Sequence, residues 1–93
     1  MDSAALLEML KLNLTIANTT YDSYLEQLIE AAQSMISREG ITLSLDGIED
    51  CNLVVMYAAY LFRERAEDNP VMPRMLRYAL NNRLFSEKVG EDS

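Results

Sequence analysis

Hydrophobic residues are most concentrated in the middle of the chain, where residues 53–62 form an unbroken run of ten apolar or aromatic side chains. Charged residues flank the run, with Glu49 and Asp50 before it and Arg63 after it. A helix that is apolar all round must be covered on several sides, whereas a membrane span needs about 20 apolar residues. Residues 48–65 therefore predict a nearly fully apolar central helix in a protein core. Because the chain is short, we expect part of its cover to come from another subunit.

An amphipathic pattern predicts a long helix before this segment. Its apolar residues recur every three or four positions, at Leu25, Leu28, Ile29, Ala32, Met35 and Ile36. Thr20 is the expected N-cap of this helix, because its hydroxyl can accept a hydrogen bond from a free N–H of the first turn. Gly40 is the expected left-handed residue at its end.

The N-terminal residues and the connection after Gly40 are also predicted from local signals. A first, short helix follows Asp2 or Ser3, either of which can act as its N-cap, and its leucines recur on one side. Residues 41–45 alternate between apolar and polar but have no partner strand, so they predict a structured loop. Asp46 or Ser44 is the expected N-cap of the central helix.

Two prolines separate the central helix from a last helix. Pro70 and Pro73 prevent a continuous helix, and Pro73 suits the first position of a new one. That helix is predicted over about residues 73–86, with an apolar stripe of Met75, Leu76, Ala79, Leu80 and Leu84. Residues 89–93 predict a short polar tail. The pattern predicts an all-α fold, a small bundle of about four helices that forms one domain over residues 1–93.

Charge is divided unevenly along the chain. The formal net charge is −7, and residues 1–50 contain nine acidic and two basic side chains, whereas residues 51–93 contain six of each. Between residues 70 and 86 there are three arginines and no acid. The acidic total argues against tight binding to a nucleic-acid backbone. The division predicts an acidic half and a locally basic last helix.

The sequence offers little material for catalysis. It has no histidine and one cysteine, Cys51, which excludes an internal disulfide and favours a reducing compartment. Asp46, Glu49 and Asp50 are one turn apart and could share a cation, but capping and compensation of the helix dipole explain them as well. We therefore predict no enzyme, no catalytic residue, no cofactor and no metal site, and keep a small enzyme or metal protein that uses these three acids as an alternative.

The methionines allow two interpretations. Met56, Met72 and Met75 could form an adaptable binding surface, because the thioether side chain fits many partners. At helical spacing, they are more often part of an apolar core.

Two segments carry a family resemblance. Residues 53–65 (LVVMYAAYLFRER) and residues 72–85 (MPRMLRYALNNRLF) resemble the head–tail connector proteins of tailed bacteriophages and prophages, also called head-completion or adaptor proteins. Residues 20–32 (TYDSYLEQLIEAA) are similar to the first long helix of that family. The likeness extends over residues 6–88, and the segment that begins at Met72 is its most distinctive part.

The resemblance implies a structural role without catalysis. Members of this family form a ring of about a dozen subunits, an association that closes when the rotation between neighbours allows it. The ring lies beneath the portal protein, extends the channel through which genome DNA passes without sequence-specific binding, and docks a stopper or tail-completion protein. The expected location is the virion, after assembly in the host bacterial cytoplasm, with no membrane partner.

The charge pattern suggests how copies could contact one another. We predict that Glu26 and Glu30 of one subunit face Arg74, Arg77 and Arg83 of the next, because opposite charges on different surfaces suit head-to-tail pairing. The alternative is a small helix-turn-helix-like DNA-binding regulator that uses the arginines of the last helix. The net charge and the lack of a basic arm argue against it.

Overall fold

A computed structural model describes residues 2–91, with only the backbone of Glu91. It contains four helices: α1 (Ser3–Leu14), α2 (Asp22–Arg38), α3 (Ile48–Glu64) and α4 (Arg74–Glu91). No strand occurs in the part of the chain that the structure describes, and residues 41–44 have no regular secondary structure. The predicted all-α fold is therefore confirmed.

The helix caps agree with the sequence at some termini and differ at others. Asp2 caps α1 by accepting a hydrogen bond from the Ala5 N–H at 2.9 Å. The prediction of Thr20 as the cap of α2 is wrong, because the N-cap is Tyr21 and its side chain makes no cap bond. Instead, the Thr20 N–H donates to the side chain of Asn18.

The N-cap of α3 also differs from the prediction, whereas residues 41–47 form the expected loop. Gly47 is the N-cap, and neither Asp46 nor Ser44 caps the helix with its side chain. The end of α2 is as predicted: Gly40 has φ 98°, a conformation that strains residues with a Cβ. A Cβ at Gly40 would lie 3.5 Å from the side chain of Leu84, so α4 passes close to this turn.

Consecutive helices run antiparallel. The end of α1 meets the start of α2 through an ion pair between Lys11 Nζ and Asp22 Oδ1 at 2.9 Å. Tyr21 at the start of α2 packs edge-on against Phe62 at the end of α3, with ring centroids 5.6 Å apart. The core between α1, α2 and α3 contains fully buried leucine, isoleucine, valine and alanine side chains, among them Leu6, Leu10, Leu25, Ile29, Ala32, Ile36, Val54 and Ala58.

The single chain covers most of α3. Seven residues of the predicted run are buried within one copy of the chain, namely Leu53, Val54, Val55, Tyr57, Ala58, Ala59 and Leu61. Helices α1, α2 and α4 of the same chain supply this cover, and the expected contribution of another subunit stays a prediction for the part that they leave open. One open strip remains, where Met56 and Tyr60 are half-buried and Asn52 and Arg63 are exposed.

The last helix differs from its prediction in length and in one face. It continues to Glu91, so residues 89–91 are helical rather than a polar tail, and residues 92–93 of that tail lie outside the described part of the chain. No proline interrupts the segment, and a single Gly90 costs a helix only about 1 kcal/mol. Leu76 and Leu80 are buried as predicted, but Met75 is 72% exposed.

Candidate docking surfaces and the charge latch beneath them

The most buried charge pair of the protein joins α3 to α4. Asp50 accepts hydrogen bonds from Arg83 Nε at 2.7 Å and from the Ser44 N–H at 2.8 Å. Arg83 also donates through Nη2 to the Thr42 carbonyl at 2.8 Å. The carboxylate side chain is only 7% exposed, so its charge is acceptable there because it is fully hydrogen-bonded.

The electrostatics of this pair favour the charged forms. Burial alone would raise the pKa of Asp50, but the Arg83 hydrogen bond, the Ser44 N–H and the positive charge of Arg83 together hold it below its usual value. Correspondingly, the hydrogen bond to Asp50 raises the pKa of Arg83.

Two further polar contacts hold α4 in place. Arg77 forms a bidentate pair with Glu39 at the end of α2, with Nη1–Oε1 at 2.8 Å and Nη2–Oε2 at 3.2 Å. Both carboxylate oxygens of Glu87 accept from the Thr42 N–H, at 3.0 and 2.9 Å. We call the contacts Arg83–Asp50, Arg77–Glu39 and Glu87–Thr42 the charge latch.

The latch divides the predicted interface residues into those that already have partners within the chain and those that do not. Arg77 and Arg83 already have acidic partners inside the same chain, whereas Glu26, Glu30 and Arg74 are exposed. None of these three forms an ion pair with a side chain that the structure describes. The structure contains a single chain, so the contact between subunits stays a prediction, and Glu26, Glu30 and Arg74 are the members free to make it.

An exposed apolar surface lies on the outside of α4. Met75, Tyr78, Phe85 and Val89 are all at least half exposed, and with Asn82 they follow the alternating three- and four-residue spacing that puts side chains on one face of a helix. The buried Leu76 and Leu80 lie on the opposite face. We call this surface the outer stripe of α4. Exposed Arg74 and Lys88 border it on one side.

A groove runs beside the outer stripe, along the open strip of α3. One hollow of ≈ 290 Å³ lies between α3 and α4, and its lining includes Asn52, Met56, Ala79 and Asn82. A second hollow of ≈ 180 Å³ continues from Met56 toward the end of α1 and the start of α4. We call these the α3–α4 groove. Met56 is thus partly core and partly a surface residue, so both interpretations of the methionines apply to it.

Two further hollows lie on the outside of α1 and α2. Leu12 is 78% exposed and stands at the edge of a hollow of ≈ 440 Å³ whose lining includes Glu8, Ile16 and Ala17. We call this the α1 hollow. A smaller hollow of ≈ 130 Å³ is lined by Ser3, Glu26, Ile29 and Glu30; we call it the acidic hollow. Neither was predicted: the α1 hollow depends on how the chain turns after α1, and the acidic hollow brings together residues of two helices.

The residues with potential chemistry take part in folding. Cys51 is fully buried, and its thiol donates to the Leu45 carbonyl at 3.2 Å. Of the three neighbouring acids, Asp50 is held by Arg83 and Ser44, while Asp46 and Glu49 are exposed. Within residues 2–91, no group of three acidic or cysteine side chains is arranged to hold a metal ion.

Sequence reasoning missed one buried charge. Lys11 is only 8% exposed, and its ammonium group reaches Asp22 across the junction of α1 and α2. A lysine among leucines gives no sign of which acid it will meet, because the long stem can carry the charge in several directions.

Comparison with known proteins does not place the chain in a family. No protein-family model, no curated protein and no solved structure matches it. None of the helices described is long and apolar enough to cross a membrane.

Proposed function

We propose that the protein is a structural adaptor of a tailed-phage or prophage virion. In this proposal, copies form a ring beneath the portal protein, extend the DNA channel and dock a stopper or tail-completion protein. The observation that carries the proposal is the double-sided character of α4. One face anchors the helix on α3 through Leu76 and Leu80, and the opposite face leaves Tyr78 and Phe85 in solvent.

An outward aromatic stripe indicates a protein partner. Contiguous exposed apolar surface commonly marks protein–protein contact sites, and tyrosine, phenylalanine and methionine are enriched at such interfaces. The α3–α4 groove is a separate surface next to the stripe, and a helix of a portal or stopper protein could enter it.

The charge distribution agrees with a channel protein better than with a DNA-binding regulator. Asp50 and Glu39 neutralise Arg83 and Arg77 within the chain, so α4 offers only Arg74 and Lys88 as exposed cations. With a net charge of −7, a ring of copies would repel the DNA backbone and let it slide.

The test is a mixture of the protein with the portal protein encoded in the same genome. Native mass spectrometry of the portal ring should show the addition of many copies, and electron microscopy should show them stacked at one end of the channel. Phe85→Ser should weaken this addition, whereas Val71→Ser, which removes an equally exposed apolar side chain outside the stripe, should not. A portal ring that adds no copies would contradict the proposal.

A titration with duplex DNA separates the alternative. The adaptor should bind DNA weakly even at low salt, because its net charge of −7 repels the phosphate backbone. Tight binding that falls steeply with salt concentration would instead favour the regulator.

A further inference from the structure

We infer that copies associate head to tail, with the outer stripe of α4 on one copy packed along the α1–α2 edge of the next. This inference rests on the proposed ring and names its contact surfaces. Phe85 enters the α1 hollow beside Leu12, and Arg74 enters the acidic hollow between Glu26 and Glu30.

The outer stripe of one copy and the α1–α2 edge of the next are complementary in shape and charge. The outer stripe projects an aromatic ring, Phe85, that is 70% exposed, and the α1 hollow is a recess edged by an exposed leucine and bordered by Glu8. Arg74 has no acidic partner among the described side chains, and the acidic hollow contains two carboxylates over the apolar floor of Ile29. Such a floor suits an arginine, whose stem is apolar and whose guanidinium can bind both acids.

The spacing of the two contacts agrees. Arg74 and Phe85 are eleven residues apart on α4, or about 16 Å at 1.5 Å per residue. Ser3 in the acidic hollow and Leu12 in the α1 hollow are nine residues apart on α1, or about 14 Å. Their positions along the helix axes therefore allow both contacts when α4 of one copy runs parallel to α1 of the next.

Repulsion between like charges disfavours the alternative in which the outer stripes of two copies pack on each other. If two outer stripes packed on each other in antiparallel fashion, Arg74 of each copy would lie beside Lys88 of the other. A parallel pair of stripes would bring no acid to either cation. The head-to-tail contact gives Arg74 two acidic partners, Glu26 and Glu30, and because each copy keeps one free face, it can propagate and close into a ring.

The test uses two variants that each disable one surface. The α4 variant carries Arg74→Gln with Phe85→Ser, and the α1 variant carries Leu12→Ser with Glu30→Gln. All four positions are exposed, so both variants should fold, which circular dichroism can check. A matched control combines Val71→Ser and Glu67→Lys, also at exposed positions in the connection before α4.

Sedimentation velocity up to about millimolar concentration gives the readout. The wild type and the control should associate progressively, and each surface variant alone should associate at least about tenfold more weakly, as expected for loss of a central aromatic or arginine contact. An equimolar mixture of the two variants should form a one-to-one dimer and nothing larger, because only one intact face of each kind remains.

Three outcomes would overturn the pairing. The α1 variant could dimerise by itself, which would indicate stripe-to-stripe contact; both variants could associate as the wild type does; or the wild type could stay monomeric throughout. Because no portal protein is present in this experiment, its failure would remove the head-to-tail contact and leave the adaptor role to be judged by the portal mixture.

Discussion

The three-helix body and the last helix are held by different forces. Helices α1, α2 and α3 meet through fully buried aliphatic side chains such as Leu10, Leu25 and Ile36. Helix α4 has two fully covered apolar anchors, Leu76 and Leu80, with Ala79 and Leu84 partly buried beside them, and the charge latch supplies its polar contacts. The body is therefore expected to depend on packing, and the seating of α4 on electrostatics.

This difference matters because α4 carries the outer stripe. Apolar packing is non-directional and changes little with pH, whereas hydrogen-bonded ion pairs respond to protonation and require a defined geometry. The latch therefore fixes the position of α4 and the direction in which its outer stripe faces. Weakening the body should unfold the domain, and weakening the latch should release α4 first.

The largest effects are expected when a buried leucine is truncated to alanine, once in the three-helix body and once in α4. Leu25→Ala in the body should lower the free energy of unfolding by about 3 kcal/mol, because the buried side chain leaves a cavity. Leu80→Ala should lower amide protection more in α4 than in α1–α3. Urea denaturation and hydrogen exchange measure the two quantities. Equal loss of protection in all four helices of both variants would abolish the distinction between the regions.

The next effect is loss of the central latch pair. Asp50→Asn should destabilise the protein by about 2 kcal/mol, because it removes a charged acceptor and leaves Arg83 partly buried without its partner. Hydrogen exchange should locate the loss in α4. Glu49→Gln is the matched control, since its carboxylate is exposed one residue earlier and should change stability by less than about 0.5 kcal/mol.

The latch also predicts a pH dependence with a definite sign. The pKa of Asp50 is lowered in the folded protein from an unfolded value near 3.8, so the folded state binds fewer protons. The stability contributed by the pair is fully present above this unfolded value and is lost as the pH falls through the lowered pKa. The protection factors of α4 amides, which compare the observed with the intrinsic exchange rate, should therefore fall below about pH 4, and Asp50→Asn should reduce that change. A wild-type profile that matches the variant would show that other acids control it.

The sequence contained enough information for the body but not for the latch. Periodicity placed Leu25, Ile29 and Ile36 on the buried face of α2, because local spacing alone fixes a helix face. Gly40 was predictable for the same reason, since a left-handed helix end favours glycine. Which helices pack against one another, and therefore which side chains cover α3, could be learned only from the three-dimensional structure.

The candidate surfaces show the same limit. The arginines of α4 were recognised as a group, yet their pattern could not reveal that Arg77 and Arg83 have partners 38 and 33 residues away. Met75 was placed with Leu76 in one apolar stripe, although adjacent residues on a helix point in directions 100° apart. A helix with two apolar faces gives a broad pattern from which the outward face cannot be chosen.

The smallest expected effect concerns the outer latch pair, Arg77–Glu39. Its geometry is as good as that of Arg83–Asp50, but the side chain of Arg77 is 42% exposed, and water screens an exposed pair. Glu39→Gln and Arg77→Gln should each cost no more than about 0.5 kcal/mol, with a coupling energy of similar size in a double-mutant cycle. A coupling as large as that of Asp50 with Arg83 would mean that burial does not decide the strength of the latch. The seating of α4 would then depend equally on its two ends.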